Sequence, residues 1–287
     1  MSLAVVTIVA GRRAHLARQL EGLQRQSRSA EHLVIVRMDG AEITVPPRVA
    51  EQVVIVDMPS QGGELPLAAA RNLGARATHA EHIVFLDVDC IPGEQLVETY
   101  ADALKQVDGL VSGPLRYLEP AAVQDGWNER DLIARSRQHA SRPAPEPGRL
   151  VRDDRHELAW TTSLGINRRD FDRISGFDER FVGYGGEDTD FGVRAGQAGL
   201  GVWWSGDAVA YHQHHETETP PTRHLAAIVR NAALFAEIHG WYPMQGWLEE
   251  FRRRGLVEFD PGAGILALSS QQAQTGSTKN AVAAATR

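Results

Sequence analysis

The chain has 287 residues, 43% of them hydrophobic, enough to bury one substantial core or two small ones and inconsistent with a disordered or fibrous protein. With 37 acidic against 30 basic side chains the formal charge is −7, which repels a phosphate backbone over much of the surface and argues against nucleic acid as a partner. Cys90 is the only cysteine, which excludes an intramolecular disulfide and a cysteine-built metal cage and points to a reducing compartment.

Along the chain, three short β-branched runs come first, Ala4 to Val9, Leu33 to Arg37 and Val53 to Val56, each followed within a few residues by Gly, Pro, Asp or Ser. They read as buried parallel strands. Between the first two, Leu16, Leu20 and Leu23 recur at helical spacing among polar residues, so a helix covers one face of the sheet in a βαβ unit. A second helix, Pro66 to Ala77, feeds a fourth strand, Ile83 to Leu86, which ends in Asp87-Val88-Asp89. Ligands of open parallel sheets bind beyond the carboxyl ends of the strands, so these acids are well placed for chemistry. Strand one is followed only by Ala10-Gly11-Arg12, which weakens a dinucleotide-binding reading.

From Tyr117 to Leu158 the pattern is less regular, with a helix expected around Asp131 to His139 and a proline-rich loop through Pro143, Pro145 and Pro147, together a candidate variable insert. Order returns at Ala159 to Asn167, and a short helix over Arg168 to Ile174 precedes the turn Gly176-Phe177-Asp178. Gly183-Tyr184-Gly185-Gly186-Glu187-Asp188 then opens a helix to Ala198, and two apolar strands, Gly201 to Trp204 and Ala208 to Tyr211, lead into His212-Gln213-His214-His215. Past Leu268 large apolar residues nearly vanish, and a disordered tail is expected over 269–287.

The acids at Asp87 and Asp89, those at Glu187 and Asp188, and the late histidines are too far apart in sequence for any local role to link them. A carboxylate pair with a histidine is an oxygen and nitrogen ligand set suited to Mn²⁺ or Mg²⁺ rather than to structural zinc. Such a cation naturally bridges a diphosphate and neutralises charge on a leaving nucleoside diphosphate.

Ala70-Arg71-Asn72-Leu73-Gly74, Phe85-Leu86-Asp87-Val88-Asp89, Gly176-Phe177-Asp178-Glu179, Gly185-Gly186-Glu187-Asp188 and the late histidine form an ordered series. It resembles the GT-A fold glycosyltransferases, in particular glycosyltransferase family 2 with a galactosyltransferase-like C-terminal region, over roughly residues 3 to 240. The resemblance implies an α/β, Rossmann-like fold: a mixed, mostly parallel sheet flanked by helices in a single domain with a C-terminal extension on the acceptor side. The expected organisation is a catalytic domain over 1–240, divided into a nucleotide-sugar-binding half to residue 115 and an acceptor half from 116, and a helical extension over 241–268.

By the same resemblance Asp89 is a metal ligand through its D-x-D motif, and Asp87 is a second ligand or holds the donor's ribose and sugar. Asp188 is the general base and Glu187 orients the acceptor. His212 is the third metal ligand, with His214 as the alternative. Arg71 and Asn72 contact the donor's phosphates or sugar, and Asp39 and the segment Thr7, Val9 and Arg12 contact the nucleoside. The second strand runs on to Arg37-Met38-Asp39, one or two positions beyond the family's usual aspartate, which leaves UDP and GDP donors both open. Trp160 and Tyr184 are candidates for stacking on an acceptor sugar.

The plainer readings are helix caps for Asp87 and Asp89, first-turn acids complementing a helix dipole for Glu187 and Asp188, and surface residues for some of the histidines. The expected activity is inverting hexosyl transfer from a UDP- or GDP-sugar to a hydroxyl of a glycan or glycoside acceptor. The rivals are a retaining transferase on the same fold and a non-catalytic nucleotide-sugar- or glycan-binding module. No apolar run approaches the ~20 residues of a spanning helix, and the N-terminus lacks signal-peptide character. A cytoplasmic protein is therefore expected, with Arg252, Arg253 and Arg254 allowing at most peripheral membrane association.

Overall fold

The first two β-branched runs form strands buried on both faces, as continuous apolar segments without polar alternation require, whereas the third, expected to be buried, is a half-exposed edge strand with Ile55 open to solvent. The computed structural model describes residues 1–60, 63–124, 126–216 and 218–270. In chain order, β1 spans Leu3–Val9, α1 Arg13–Gln24, β2 His32–Arg37, β3 Val53–Asp57, α2 Leu67–Arg76, β4 His82–Leu86, β5 Cys90–Pro92 and α3 Leu96–Gln106. There follow β6 Gly109–Ser112, β7 Leu115–Leu118, α4 Glu129–Ala134, β8 Ser136–Gln138, β9 Leu150–Asp153, β10 Ser163–Asn167, α5 Arg168–Arg173 and α6 Glu187–Gln197. The last elements are β11 Gly201–Ser205, β12 Ala210–His212, α7 Leu225–His239, α8 Gln245–Arg253, β13 Val257–Asp260 and β14 Ile265–Leu268.

An eight-stranded sheet has the order β3-β2-β1-β4-β10-β6-β11-β9. The first four are mutually parallel, β10 runs antiparallel between β4 and β6, β11 is parallel to β6, and β9 closes the edge antiparallel. Helices cover both faces. Leu16, Leu20 and Leu23 of α1 and Leu96, Val97 and Tyr100 of α3 pack on Val5, Leu33, Ile35 and Val84. Ala68, Ala70 and Ala75 of α2 and Phe191 of α6 pack on Val6, Val34, Ile83 and Phe85. The expected mixed, mostly parallel α/β sheet is what forms.

A second sheet, β5-β12-β7-β8, matters more for function. Its register places Cys90, His212, Tyr117 and Arg137 side by side across four strands. The region from Tyr117 to Leu158 therefore supplies strands to both sheets and is not an irregular insert. The helix expected from Asp131 to His139 is only α4, started by a capping box between Asn128 and Asp131. Ser136 to Gln138 pair instead with β7, and that cross-strand pairing outweighs the helical pattern.

The described chain packs as two compact units, one formed by 1–180 with 187–215, the other by 181–186 with the chain from 216 onward. Residues 216–240, expected with the acceptor half, thus belong to the second unit. Its core gathers Leu225, Ile228, Val229 and Ala232 of α7, Leu248 and Phe251 of α8, and Val257 and Phe259 of β13. The segment 241–268, expected as a helical extension, holds α8 and then the β13–β14 hairpin, because Val257 and Phe259 alternate buried with exposed Glu258 and Asp260. On α8, Arg252 pairs with Glu249, and Arg253 and Arg254 pair with Glu250, as on an ordinary solvated helix face. Among the described residues no helix is long and apolar enough to cross a membrane. Most of the tail expected to be disordered, from residue 271 on, lies outside the described residues.

Candidate active site

Asp87 and Asp89 emerge from the end of β4, where Cys90 N–H closes a tight turn on the Asp87 carbonyl at 2.8 Å. That turn is held from beneath by Gln19, a fully buried residue of α1. Its amide donates to the carbonyls of Asp87 at 2.7 Å and Cys90 at 3.1 Å, while its oxygen accepts from the Thr7 hydroxyl at 3.0 Å. Thr7, expected at the nucleoside, is therefore internal scaffolding, and Val9 is a buried core residue. Both sit on β1 where the α1 side of the sheet closes over them.

Asp89 meets the late histidines because β12 runs antiparallel to β5, with His212 opposite Cys90 and the Gln213 N–H donating to the Asp89 carbonyl at 2.7 Å. His212 Nε2 lies 3.6 Å from Asp89 Oδ1, and His215 Nε2 lies 3.3 Å from Oδ2. One atom from each of Asp89, His212 and His215 falls within 4.8 Å of the others. The ring nearest His212 among the late histidines is thus His215, three residues on, while His214, the expected alternative, is exposed. Burial alone would raise the Asp89 carboxyl, but His215, His212 and Arg12 outweigh it and bring it to about 2. Burial lowers the His212 pKa, favouring the neutral imidazole that a metal requires.

The donor set fits a borderline divalent cation: one carboxylate and two imidazoles with converging atoms. His212 is also unsatisfied within the protein. Its Nδ1 is buried without a hydrogen-bond partner among the described residues, and its Nε2 is beyond hydrogen-bond reach of Asp89. Asp87, expected as a possible second ligand, falls outside this cluster, and its Oδ1 accepts from Arg71 at 3.2 Å.

Arg71 joins the two remote acid pairs. Buried on α2, it donates through Nη2 to Asp87 and through Nη1 to Glu187 Oε1 at 3.1 Å. Desolvation opposes its charge, yet Asp87, Glu187 and Asp188 together raise its pKa above the ordinary value. Among the described residues it bridges the two carboxylates. Asn72 is spent on the protein as well: its amide donates to the Phe177 carbonyl and to Glu179, each at 2.9 Å, and its oxygen accepts the Phe177 N–H at 2.8 Å. Gly176 turns there at φ 64°, and a Cβ on it would lie 2.5 Å from Asn72 Oδ1.

Glu187 and Asp188 open α6 after Gly185 and Gly186, both at φ 94°, a backbone that side chains with a Cβ rarely adopt. Glu187 is buried, and its Oε2 has no hydrogen-bond partner among the described residues. Asp188 is half-buried and accepts its neighbour Thr189's N–H at 2.8 Å. Desolvation, then the Glu187 charge, push its carboxyl up to about 7 against the pull of Arg71.

Asp39 is exposed and receives the Gly11 N–H at 2.6 Å and the Ala41 N–H at 3.1 Å, so it ties the β1–α1 loop to the end of β2. Those two N–H groups hold its carboxyl below the usual range. From His212 a row of rings leads through Tyr117 (4.7 Å) and His139 (5.3 Å) to Trp160 (5.3 Å). Tyr184 belongs to the second unit, where it stacks on His224 at 4.7 Å.

Gln19 and Tyr117 were not singled out by sequence, and His215 was read there only as one of the crowded late histidines, not as a ligand. Gln19 had a readable signal: it occupies the i+3 place of the buried stripe Leu16, Leu20, Leu23, where a polar side chain must find internal partners. Tyr117 had none, since only the strand register brings it to His212.

The profile described as glycosyltransferase like family 2 matches residues 48–220, more than half of the chain and all of both acid pairs. The N-acetylglucosaminyl-diphospho-decaprenol L-rhamnosyltransferase of Mycobacterium tuberculosis is 30% identical over 143 residues, 48% of this chain and 42% of that protein. The chondroitin synthase of Escherichia coli is 27% identical over 240 residues, 74% of this chain and 34% of that protein. The chain thus spans less than half the length of these two relatives. A crystal structure of GalNAc-T7 with UDP, GalNAc and Mn²⁺ superposes with a TM-score of 0.56 at 13% identity, covering 88% of this chain and 57% of that one. With acid pairs at a strand end and a helix start inside the matched segment, the chain belongs to glycosyltransferase-like family 2 and has the GT-A fold.

Proposed function

We propose that the protein transfers a hexose or related sugar from a nucleoside diphosphate donor, a UDP- or GDP-sugar, to a hydroxyl of a glycan or glycoside, with inversion. One observation carries the reading: the Arg71 guanidinium is ion-paired with both Asp87 and Glu187, so that two remote acid pairs share one place. Asp89, His212 and His215 would hold a Mn²⁺ or Mg²⁺ ion. When bound, the ion supplies Lewis-acid neutralisation of the diphosphate leaving group.

The remaining work falls to side chains. Asp188, with its carboxyl raised to about 7, takes the proton of the acceptor hydroxyl as that oxygen bonds to the anomeric carbon and the bond from that carbon to the diphosphate oxygen breaks. Glu187, with Oε1 fixed by Arg71 and Oε2 unpaired, orients the acceptor hydroxyl. Asp87, half-exposed and anchored at one oxygen, keeps its other oxygen for the donor's ribose or sugar. Trp160, at the far end of the ring row, offers an aromatic face for an acceptor sugar on this reading.

Asp188→Asn tests the assignment. Transfer, followed by release of UDP or GDP from the respective sugars, should drop by about 10²- to 10⁴-fold, while donor binding in the presence of Mn²⁺ persists. Turnover near wild type would remove Asp188 from the mechanism. Proton NMR of the product anomer separates inversion from retention.

A further inference from the structure

Arg12 stands between β1 and the first turn of α1 at a left-handed backbone position, φ 49°, directly after Gly11 at φ 64°. Its Nη1 donates to Asp89 Oδ2, the same oxygen that lies 3.3 Å from His215 Nε2. Arg12 keeps a third of its side chain exposed, whereas Asp89 is 7% exposed. An arginine on a long, solvent-edged stem therefore answers the charge of the one carboxylate on which the candidate metal cluster is built.

A divalent ion ligated by Asp89, His212 and His215 draws on that same carboxylate, and two cations beside one buried oxygen repel each other steeply at the low effective dielectric of such a place. One must yield. His212 is fixed by the β12 ladder and the Gln213 N–H holds the chain just beyond it, while Arg12 needs only side-chain rotation to leave. The end of α1 where Arg12 sits also has no side-chain cap and no acid in its first turn, so the helix dipole there favours an anion.

Resting on the metal and donor reading above, we propose that Arg12 is a positioning residue that exchanges partners. It holds Asp89 until the divalent ion takes that carboxylate, and then it pairs with a phosphate oxygen of the donor's diphosphate. Ion and nucleotide consequently bind with positive coupling, and by reciprocity each strengthens the other by the same factor.

The test measures Mn²⁺ binding to the full chain by the electron paramagnetic resonance signal of free Mn²⁺, alone and with UDP or GDP, in wild type, Arg12→Met, Arg12→Lys and His212→Ala. Mn²⁺ alone should bind about tenfold more tightly to Arg12→Met than to wild type, with Arg12→Lys between them because it keeps the charge but not the fork. The better of the two nucleotides should strengthen Mn²⁺ binding in both proteins, because the ion itself meets the diphosphate, but about tenfold more in wild type than in Arg12→Met. Equal Mn²⁺ affinity in wild type and Arg12→Met, or coupling as large in Arg12→Met as in wild type, overturns the exchange. Failure of the metal reading itself looks different: His212→Ala would then bind Mn²⁺ as wild type does.

Discussion

Asp89 is buried and Asp188 half-buried, and their environments drive them in opposite directions. At Asp89 the desolvation that would raise the carboxyl is outweighed by His215, His212 and Arg12, which bring it to about 2. Asp188 is driven up by desolvation and then by the Glu187 and Asp87 charges, against Arg71 and the Thr189 N–H, and its carboxyl rises to about 7. On the proposed function, such a split suits Asp89 to holding a cation and Asp188 to taking a proton. The rate should therefore climb with pH along a single limb centred near 7 and then level off. A pH–rate profile of sugar transfer that stays flat between pH 5 and 8 would count against Asp188. The same shift has a stability consequence of definite sign. Because the folded carboxyl is raised above the ordinary 3.8, the native state holds a proton that the unfolded chain has released, and stability falls as pH rises between about 4 and 7. Asp188→Asn should remove this penalty. Its melting temperature should match wild type near pH 4 and exceed it at pH 8, by an amount equivalent to at most about 4 kcal/mol and less where water screens the half-buried group.

At the scale of elements, two devices bring the site together, and they differ in how visible they are. Helix α1 presents Leu16, Gln19, Leu20 and Leu23 on one buried stripe, and Gln19 reaches through it to hold the 87–90 turn. Gln19→Ala leaves the buried carbonyls of Asp87 and Cys90 short of a donor, which should cost about 1–3 kcal/mol in urea unfolding. Transfer should also slow, through a displaced Asp89. Unchanged stability would mean that the turn holds itself. The second device is the β5–β12 ladder. The D-x-D motif and a helical stripe can be read from residue types and spacing, but which of three crowded histidines meets Asp89 depends on strand register and on the path of the chain after β12. His212 was legible on that ground and His215 was not. Arg71 and Asn72 stood out as a pair, but helix α2 points both inward, so their partners are protein groups.

For the molecule as a whole, the large sheet carries Asp87 and Asp89 just beyond the carboxyl end of β4. Ligands that bind only the folded form must stabilise it. Mn²⁺ together with the correct nucleoside diphosphate sugar, at about a hundredfold over its dissociation constant, should raise the melting temperature by roughly 5 °C or more, and EDTA should cancel the gain. Mn²⁺ alone should do less, and Asp89→Ala should abolish the metal-dependent part. A nucleotide-sugar shift that persists unchanged in EDTA would separate donor binding from the cation. The panel of UDP- and GDP-sugars used for this scan also decides the donor, on which Asp39, engaged with the Gly11 and Ala41 N–H groups, gives no direct reading.

Local chemistry in the sequence already determined the β-branched parallel strands, the covering helices, the acids at the end of β4, and the glycine pair before Glu187 and Asp188, because burial pattern and backbone freedom are properties of neighbouring residues. Only the tertiary structure decided that Thr7 and Val9 face the interior, that Arg71 links Asp87 to Glu187, that residues 136–138 join a sheet, and that His215 rather than His214 completes the cluster around Asp89. Those outcomes turn on strand register and on pairings between distant segments. Neither is encoded in the spacing of residues along one stretch of chain.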